Sequence, residues 1–415
     1  MKVLIVSQYF WPETFRINDL AAGMVERGHK VSVLTGIPNY PGGQFFHGYG
    51  MFRKQRQEYK GVRIIRAPLL PRGKGGGIQL AINYFSFAFF ASVLSPFLCR
   101  EKFDLIFVFQ PSPITIGVPA IVLKKLKSIP IMFWVQDLWP ESLSATGAIR
   151  SKHILNCVRE LVCFIYKHCD KILIQSPTFS PLIESHGVHS KRITFFPNSV
   201  EAIYKPITEQ SGLETNHLIP SGFCIMFAGN IGAAQDFETI LLAVEKLKGY
   251  QDIHLVVLGD GRRFEWVKEE VRVRGLSGTV HLLGRHPFEA MPGFFAEADV
   301  MLVTLKHDPI FALTIPAKIQ SYMACEKPII GALDGEGSRL ITESGAGLAS
   351  PSGDADALAE SILAMYQMPK EKRETMGKQG KAYCDANFER EMLIDKLEGL
   401  MMECIQQERI RGLKS

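Results

Sequence analysis

The stretch TIPAKIQSYMACEKPIIG, residues 314–331, is the most informative part of this chain. Pro316 begins a helical pattern, and Lys318 falls in its first turn. The segment 326–328 ends the helix, and the apolar run that follows predicts a buried strand. A helix N-terminus offers free N–H groups and a positive dipole, so a lysine one turn into the helix predicts a phosphate site. The alternative is a helix that only packs on an α/β sheet.

Outward from this stretch, short apolar runs alternate with helical patterns along the chain. The first half contains the runs 3–6, 31–34, 64–67, 105–109, 131–135, 172–174 and 194–196, and the second half contains 224–227, 254–258, 280–283, 300–303 and 328–331. Runs without polar alternation indicate strands covered on both faces, and alternation with helices indicates doubly wound parallel sheets.

The sequence therefore predicts an α/β protein with two Rossmann-like domains, for which 415 residues leave ample room. The join falls near 197–220, a polar segment with three prolines. The predicted domains cover residues 1–200 and 201–387, and a helical tail covers 388–415.

Charge is divided unevenly between the two halves. Residues 1–200 contain 24 Lys and Arg against 11 Asp and Glu, whereas residues 201–415 contain 23 against 31. A basic first half predicts that this half faces an anionic partner, such as the cytoplasmic face of a membrane. Nucleic acid is the other common partner of this kind, but no motif for binding it occurs, so none is expected.

Cysteine and histidine spacing predicts no metal site. None of the eight cysteines forms a C-x-x-C pair, and none of the eleven histidines has metal-ligand spacing with another. The N-terminal apolar run is too short for an export signal, so we expect a cytoplasmic protein with reduced thiols.

Six fragments resemble a known family in the same order. They are YFWPETFRINDLAAGMVERGHKVSVLTG (9–36), FFPNSVEAIYKP (195–206), FAGNIGAAQDFETILLAV (227–244), VVLGDG (256–261), HLLGRH (281–286) and residues 314–331. Together they resemble GT4, the retaining glycosyltransferases of the two-domain GT-B architecture. NYPGG (39–43) and VQDLWPES (135–142) resemble in particular the subgroup that builds bacterial O-antigen, capsule and colanic acid.

The resemblance implies an activity and its partners. Such an enzyme moves a sugar from a nucleoside diphosphate, here expected to be UDP, to a lipid-linked glycan during surface polysaccharide assembly. UDP-N-acetyl-L-fucosamine is the first donor to consider. No cofactor or bound metal is implied, the first domain would bind the acceptor and the second the donor, and the tail helix would return to the first domain.

The donor's diphosphate is expected at the glycine turn formed by Gly229, Asn230 and Gly232, together with Lys318. Here the chain departs from the family, which carries Arg and Lys at the positions of Asn230 and Gln235. Backbone N–H groups and Lys318 must then meet the phosphate charge, with Lys306 or Arg285 as further candidates. A tight strand-to-helix turn without a ligand is the alternative.

A second departure concerns the paired glutamates that family members space as E-x7-E. The matching positions are Leu313 and Ser321. Ser321 is left to bond a ribose hydroxyl, and Asp308 is a candidate for the donor sugar. Arg285 follows the run 280–283 and is expected beside the nucleobase or a phosphate, with a solvated arginine as the alternative.

The acceptor side is expected at the ends of strands in the first half. Asp137 follows the run 131–135, where doubly wound sheets place ligands, and is the candidate for orienting or deprotonating the acceptor hydroxyl. Its alternative is a turn cap before Pro140. Glu141, Glu13 and Trp11 are candidates for the acceptor pocket, although a role at a helix N-terminus is open for both glutamates.

Residues 78–99 are about one membrane thickness long, but several polar residues and a proline interrupt them. Arg72 and Lys74 precede the segment, Arg100 and Lys102 follow it, and further cations lie at 53–60. An interfacial helix on the anionic inner face of the cell membrane is one interpretation. A buried helix of the first domain is the other.

Two rival functions remain open at this point. One is a non-catalytic protein that binds nucleotide sugars or glycans and has lost its chemistry with the missing Arg, Lys and Glu residues. The other is a UDP-sugar epimerase of the same fold, which would need no acceptor.

Overall fold

A computed structural model describes residues 1–207 and 218–412 of the chain. The chain forms two compact units. The first contains Met1–Asn198 and also takes in the C-terminal helix from Arg390 onward, and the second is Ser199–Glu389. Each unit is built around one sheet with helices on it, which confirms the predicted α/β fold with two Rossmann-like domains.

The first unit contains an eight-stranded sheet. Its strands are β1 (Lys2–Val6), β2 (Lys30–Thr35), β3 (Arg56–Tyr59), β4 (Val62–Arg66), β5 (Leu105–Gln110), β6 (Ile131–Val135), β7 (Lys171–Ile174) and β8 (Ile193–Phe195), in the spatial order 3-4-2-1-5-6-7-8. Neighbouring strands are parallel except β3 and β4. Strand β3 was not predicted, because its sequence RQEY lacks an apolar run and lies half exposed at the edge of the sheet.

The helices of the first unit follow the doubly wound pattern. They are α1 (Arg16–Glu26), α2 (Gly77–Leu98), α3 (Gly117–Lys127), α4 (Glu141–Ala145), α5 (Lys152–His168) and α6 (Ser180–Ser185). Because β1 lies between β2 and β5, the order of the strands reverses there, and loops after these strands open the crevice in which such sheets bind ligands.

Helix α2 is a surface helix, which excludes the interpretation of residues 78–99 as a buried core helix. Only 22% of the residues in its most apolar 18-residue stretch are buried. Its inner face, which includes Phe87 and Ala91, packs on the unit and makes its main helix contact with α3. Its outer face is exposed to solvent.

The second unit contains a six-stranded, fully parallel sheet. Its strands are β9 (Phe223–Ala228), β10 (Ile253–Leu258), β11 (Val280–Gly284), β12 (Val300–Thr304), β13 (Ile329–Ala332) and β14 (Gly347–Ser350), in the order 11-10-9-12-13-14. The order reverses between β9 and β12, so the loop after β9 stands at the switch point.

The helices of the second unit lie on both faces of this sheet, over two apolar cores. They are α7 (Phe237–Lys246), α8 (Phe264–Val273), α9 (Met291–Glu297), α10 (Pro309–Ala312), α11 (Ala317–Ala324), α12 (Gly335–Glu343), α13 (Ala355–Gln367) and α14 (Lys370–Phe388).

The last helix, α15 (Arg390–Gly412), packs on α1 of the first unit. Ile394 and Leu397 are fully buried there. Arg390 donates to Asp19 at 2.8 Å and to Glu26 at 3.0 Å, which ties the start of α15 to both ends of α1. A side chain at Gly23 of α1 would collide with Ile394, so glycine at this position permits the close approach of the two helices.

Candidate active site

The glycine turn after β9 is hydrogen bonded to the end of β10 and the loop that follows it. The backbone N–H of Gly229 donates to Leu258 at 2.9 Å, and that of Ile231 donates to Asp260 at 2.9 Å. A Cβ at Gly259 would collide with the Gly229 carbonyl, and Gly229 itself has a φ of +141°. The two loops therefore approach so closely that only glycine fits, which fixes the backbone of the turn at the switch point.

Lys318 points its ammonium group into this turn. It lies at the start of α11, and a Cβ built on Gly229 would be 3.1 Å from its Nζ. The Nζ is buried, has no hydrogen-bond partner among the described residues, and lies 3.8 Å from the centre of the Phe227 ring. Burial lowers the pKa of Lys318 to about 7. An unpaired buried cation is costly, so this position suits an anionic ligand.

Helix α11 is held in place by Tyr322, one turn beyond Lys318. The Tyr322 hydroxyl donates to the carbonyl of Ala228 and accepts its N–H, both at 3.1 Å. This contact fastens the helix to the end of β9, directly before the glycine turn. Ser321 is three residues from Lys318 on the same helix and is buried.

The remaining donor-side candidates lie along the same edge of the second sheet. Arg285 follows β11 and is exposed, and the Gly259 N–H donates to Gly284 beside it at 2.7 Å. Asp308 follows β12, and its carboxylate accepts the Ile310 N–H at 2.9 Å, so it caps α10. The structure thus brings Gly229, Asn230, Gly232 and Lys318 together and places Arg285 and Asp308 on neighbouring loops of that edge.

In the first unit, Asp137 follows β6 as predicted from the sequence. Its carboxylate accepts the indole N–H of Trp139 at 2.9 Å. Burial raises the pKa of Asp137, and hydrogen bonds, that of Trp139 among them, oppose the rise. A carboxylate whose pKa is raised is a stronger base, which suits the role in acceptor deprotonation.

Glu141 lies at the first position of α4 and faces two basic side chains. Its Oε1 is 3.7 Å from a guanidinium nitrogen of Arg159 and 3.7 Å from Nε2 of His186. The other carboxylate oxygen is buried without a hydrogen-bond partner among the described residues. The sequence did not indicate this cluster, because Arg159 and His186 come from distant parts of the chain.

Glu13 fastens two loops at the carboxyl edge of the first sheet. Its Oε1 accepts the backbone N–H of Asn39 at 2.8 Å and that of Tyr40 at 2.7 Å. Burial raises the pKa of Glu13 to about 7. Trp11, in the same loop, stacks on Tyr59 with ring centres 5.2 Å apart. Both candidates lie after β1, and Glu13 holds the start of the NYPGG loop.

Two residues of α2 that were not predicted from the sequence, Asn83 and Tyr84, contact this edge, and Arg72 contacts it from the loop before the helix. Arg72 donates to the Tyr9 hydroxyl at 2.7 Å. Asn83 of α2 accepts from Gln8 at 2.7 Å and donates to the Leu70 carbonyl at 2.6 Å. Tyr84, the next residue of α2, lies 6.1 Å from the Trp139 ring. The one available signal was polar residues within an apolar segment.

Metal ligands are not grouped in the part of the chain that the structure describes. No three or more His, Cys, Asp and Glu side chains within residues 1–207 and 218–412 come together to hold a metal ion. The expectation of a metal-independent reaction stays a prediction.

The two units thus define a protein with two Rossmann-like sheets, one of which carries a glycine turn with the buried Lys318 beside it at its switch point. Comparisons with known proteins agree with this class. Residues 14–199 match the family described as "Glycosyl transferase 4-like domain", and residues 216–383 match "Glycosyl transferases group 1". The chain belongs to the GT4 glycosyltransferases of the GT-B fold, and it is a transferase enzyme.

Two bacterial proteins are similar in sequence. A protein of Pseudomonas aeruginosa described as a probable glycosyltransferase, WbjE, is 29% identical over 55% of this chain and 58% of its own length. The glycosyl transferase WcaI of Escherichia coli K12, whose name assigns it to colanic acid biosynthesis, is 23% identical over 78% of this chain and 81% of its own. The chain thus matches little more than half the length of WbjE.

Two solved structures share the fold. Sucrose-phosphate synthase of Thermosynechococcus elongatus has a TM-score of 0.76 at 15% identity, with 98% of this chain and 99% of that chain covered. HepE of Anabaena, solved in complex with UDP and glucose, has a TM-score of 0.71 at 16% identity, with 97% and 99% covered.

Proposed function

We propose that this enzyme moves a sugar from a nucleoside diphosphate, UDP, to a lipid-linked glycan during the assembly of a bacterial surface polysaccharide, with retention of the anomeric configuration. The observation that carries the proposal is the buried ammonium of Lys318, which lies beside the glycine turn at the switch point and has no hydrogen-bond partner within residues 1–207 and 218–412. A diphosphate would supply the negative charge that this position lacks.

The donor would be held mainly by backbone groups and one lysine. Asn230 and Gln235 are neutral where relatives of the family carry Arg and Lys, so the exposed turn residues and Lys318 must meet the phosphate charge. Ser321 would bond a ribose hydroxyl, Arg285 would lie beside the base, and Asp308 would contact the sugar. The UDP-bound HepE structures support UDP as the nucleotide.

On the acceptor side, Asp137 would orient or deprotonate the attacking hydroxyl. The acceptor oxygen forms a bond to the anomeric carbon as the bond to the diphosphate oxygen breaks. The hydroxyl proton passes to Asp137 or to the departing phosphate. Glu13, Trp11 and Glu141 would shape the acceptor pocket, and the enzyme would contribute positioning and charge stabilisation without a metal.

The relatives and the charge of the chain support a proposal for where the reaction takes place. The colanic acid assignment of WcaI supports a role in polysaccharide biosynthesis, and UDP-N-acetyl-L-fucosamine is the first donor to test. Because lipid-linked glycans reside in the membrane, the enzyme would work in the cytoplasm, peripherally attached to the inner face of the cell membrane.

Calorimetric titration of UDP tests the donor site directly. Replacing Lys318 with alanine should weaken UDP binding by about 1.5–3 kcal/mol, because it removes a charge-assisted hydrogen bond to the diphosphate. The matched control is Lys268→Ala, which removes an exposed lysine of α8 in the same unit and should leave the affinity unchanged. Equal UDP affinity in the wild type and Lys318→Ala would remove Lys318 from the site.

A further inference from the structure

Helix α2 presents one continuous apolar face to solvent. Six large apolar side chains, 46–79% exposed, recur every three or four residues and therefore share one side of the helix: Ile78, Ile82, Phe85, Phe89, Val93 and Phe97. We call this the docking face. The helix has 22 residues, none of them charged, and is about 33 Å long. An exposed apolar surface of this length marks a site of interaction.

The opposite side of α2 is fixed to the first unit. Asn83 is fully buried and is hydrogen bonded to Gln8 and to the Leu70 carbonyl. Phe87 and Ala91 are also buried. Among the described residues, α2 is the helix long and apolar enough to cross a membrane by length and composition. Crossing would break these contacts and expose Asn83 to lipid, so a helix lying in the plane of the membrane is the arrangement that preserves them.

Charge at the two ends of α2 distinguishes between possible occupants of the docking face. Arg72 and Lys74 precede the helix, and Arg100 and Lys102 follow it. If two copies of the chain paired through this face, cations would meet cations whether the helices ran parallel or antiparallel. Anionic lipid headgroups instead complement both ends, while acyl chains cover the uncharged middle.

We propose that the docking face of α2 inserts into the lipid of an anionic membrane, with the helix lying in the membrane plane and its inner face still packed on the first unit. This inference rests on the proposed function, because it supplies the surface that presents a lipid-linked acceptor. It also orients the enzyme. Asn83 and Tyr84 place the first half of α2 beside Gln8 and Trp139, so the loops carrying Glu13 and Asp137 would lie close to the lipid surface.

Vesicle flotation of the full-length protein tests the insertion. The wild type should float with vesicles of phosphatidylcholine and phosphatidylglycerol, and only part of it should be released at high salt, because salt screens the cations but not the apolar contacts. Phe85→Ser/Phe89→Ser should reduce the bound fraction by about tenfold or more. The matched control is Met402→Ser/Ile410→Ser, which removes two similarly exposed side chains of α15 and should bind like the wild type.

Three outcomes would overturn the proposal. They are a wild type that does not bind the vesicles, complete release of the wild type at high salt, or flotation of the Phe85→Ser/Phe89→Ser variant equal to that of the wild type. If the wild type sediments as a dimer and the Phe85→Ser/Phe89→Ser variant sediments as a monomer, the docking face contacts a second copy of the chain instead. A thermal unfolding transition of each variant as cooperative as that of the wild type verifies that the first unit, which contains α2 and α15, is folded.

A second measurement locates the face in the lipid. Phe89→Trp places an indole in the middle of the docking face, and brominated lipid should quench its fluorescence more strongly than that of the four native tryptophans of the wild type. Equal quenching would contradict insertion. Insertion without sugar transfer would leave this proposal standing and refute the proposed function. Transfer to a lipid-linked acceptor without vesicle binding would refute this proposal and leave the proposed function standing.

Discussion

At the scale of single residues, the proposed donor site depends on Lys318, because its buried ammonium lies 3.8 Å from the centre of the Phe227 ring beside the glycine turn. The place of Lys318 in the first turn of a helix followed from Pro316 and the apolar spacing, and the structure has it there. That its ammonium is buried against the Phe227 ring, without a hydrogen-bond partner in the described part of the chain, did not follow, because β9 and the glycine turn are almost ninety residues away in the sequence. The same holds for Glu13, whose partners Asn39 and Tyr40 lie beyond β2.

The lowered pKa of Lys318 predicts that UDP binding takes up protons. With a pKa of about 7, most Lys318 side chains are neutral at pH 8 in the free protein. A bound diphosphate favours the charged form and raises the pKa, so binding at pH 8 should consume up to one proton, and affinity should fall as the pH rises from 7 to 9. Calorimetry at pH 8 in two buffers of different ionisation enthalpy measures this uptake.

The control for proton uptake is Lys318→Arg, whose guanidinium stays charged in this pH range. This variant should bind UDP without buffer-dependent heat. If the wild type binds UDP at pH 8 with the same heat in both buffers, Lys318 is either already charged in the free protein or remote from the diphosphate. The pH account would then fail even though a donor site exists.

At the scale of elements, the positions of buried strands could be predicted from the sequence, whereas the exposed face of α2 could not. Buried parallel strands such as β1, β5 and β12 have nearly uniform apolar sequences, which is why their positions followed from the sequence. The edge strand β3 did not, since RQEY has no apolar run. Helix α2 was visible as a segment, but its apolar residues surround the helix, so no periodic pattern could tell the outer face from the inner one.

The packing of α15 on α1 supplies a prediction at this scale. Arg390 is mostly buried and bonds Asp19 and Glu26, so Arg390→Ala should leave Asp19 without its cation and loosen the start of α15. Hydrogen exchange of amides in the first turns of α15 should accelerate by about 5–100-fold, the equivalent of roughly 1–3 kcal/mol in local stability.

Two controls accompany the exchange measurement. Arg409→Ala, which removes an exposed arginine near the other end of α15, should leave the exchange of the first turns unchanged. Amides of α11, which belong to the second unit, serve as an internal reference in every sample. Unchanged exchange in Arg390→Ala would mean that apolar contacts such as Ile394 and Leu397 suffice to hold the helix.

At the scale of the whole molecule, the excess of positive charge and the exposed apolar face occur in the same unit. The first 200 residues carry the excess of cations, and the docking face of α2 belongs to the same unit. The second unit, in whose sequence Asp and Glu outnumber Lys and Arg, contains the buried Lys318 at its switch point. This division is consistent with one unit that meets an anionic surface and a lipid-linked acceptor and another that holds the nucleotide sugar.

Sugar transfer itself tests the account most directly. The wild type should be incubated with UDP-sugars, UDP-N-acetyl-L-fucosamine first, and with lipid-linked glycans extracted from a polysaccharide-producing bacterium. Mass spectrometry should find UDP and a glycolipid heavier by one sugar. Asp137→Asn should lower kcat by roughly 10²–10⁴ with UDP affinity little changed, as expected for a positioned base, while Glu160→Gln, an exposed change on α5, should behave like the wild type. An unextended glycolipid with every UDP-sugar tried, or an isomerised nucleotide sugar formed without acceptor, would contradict the account.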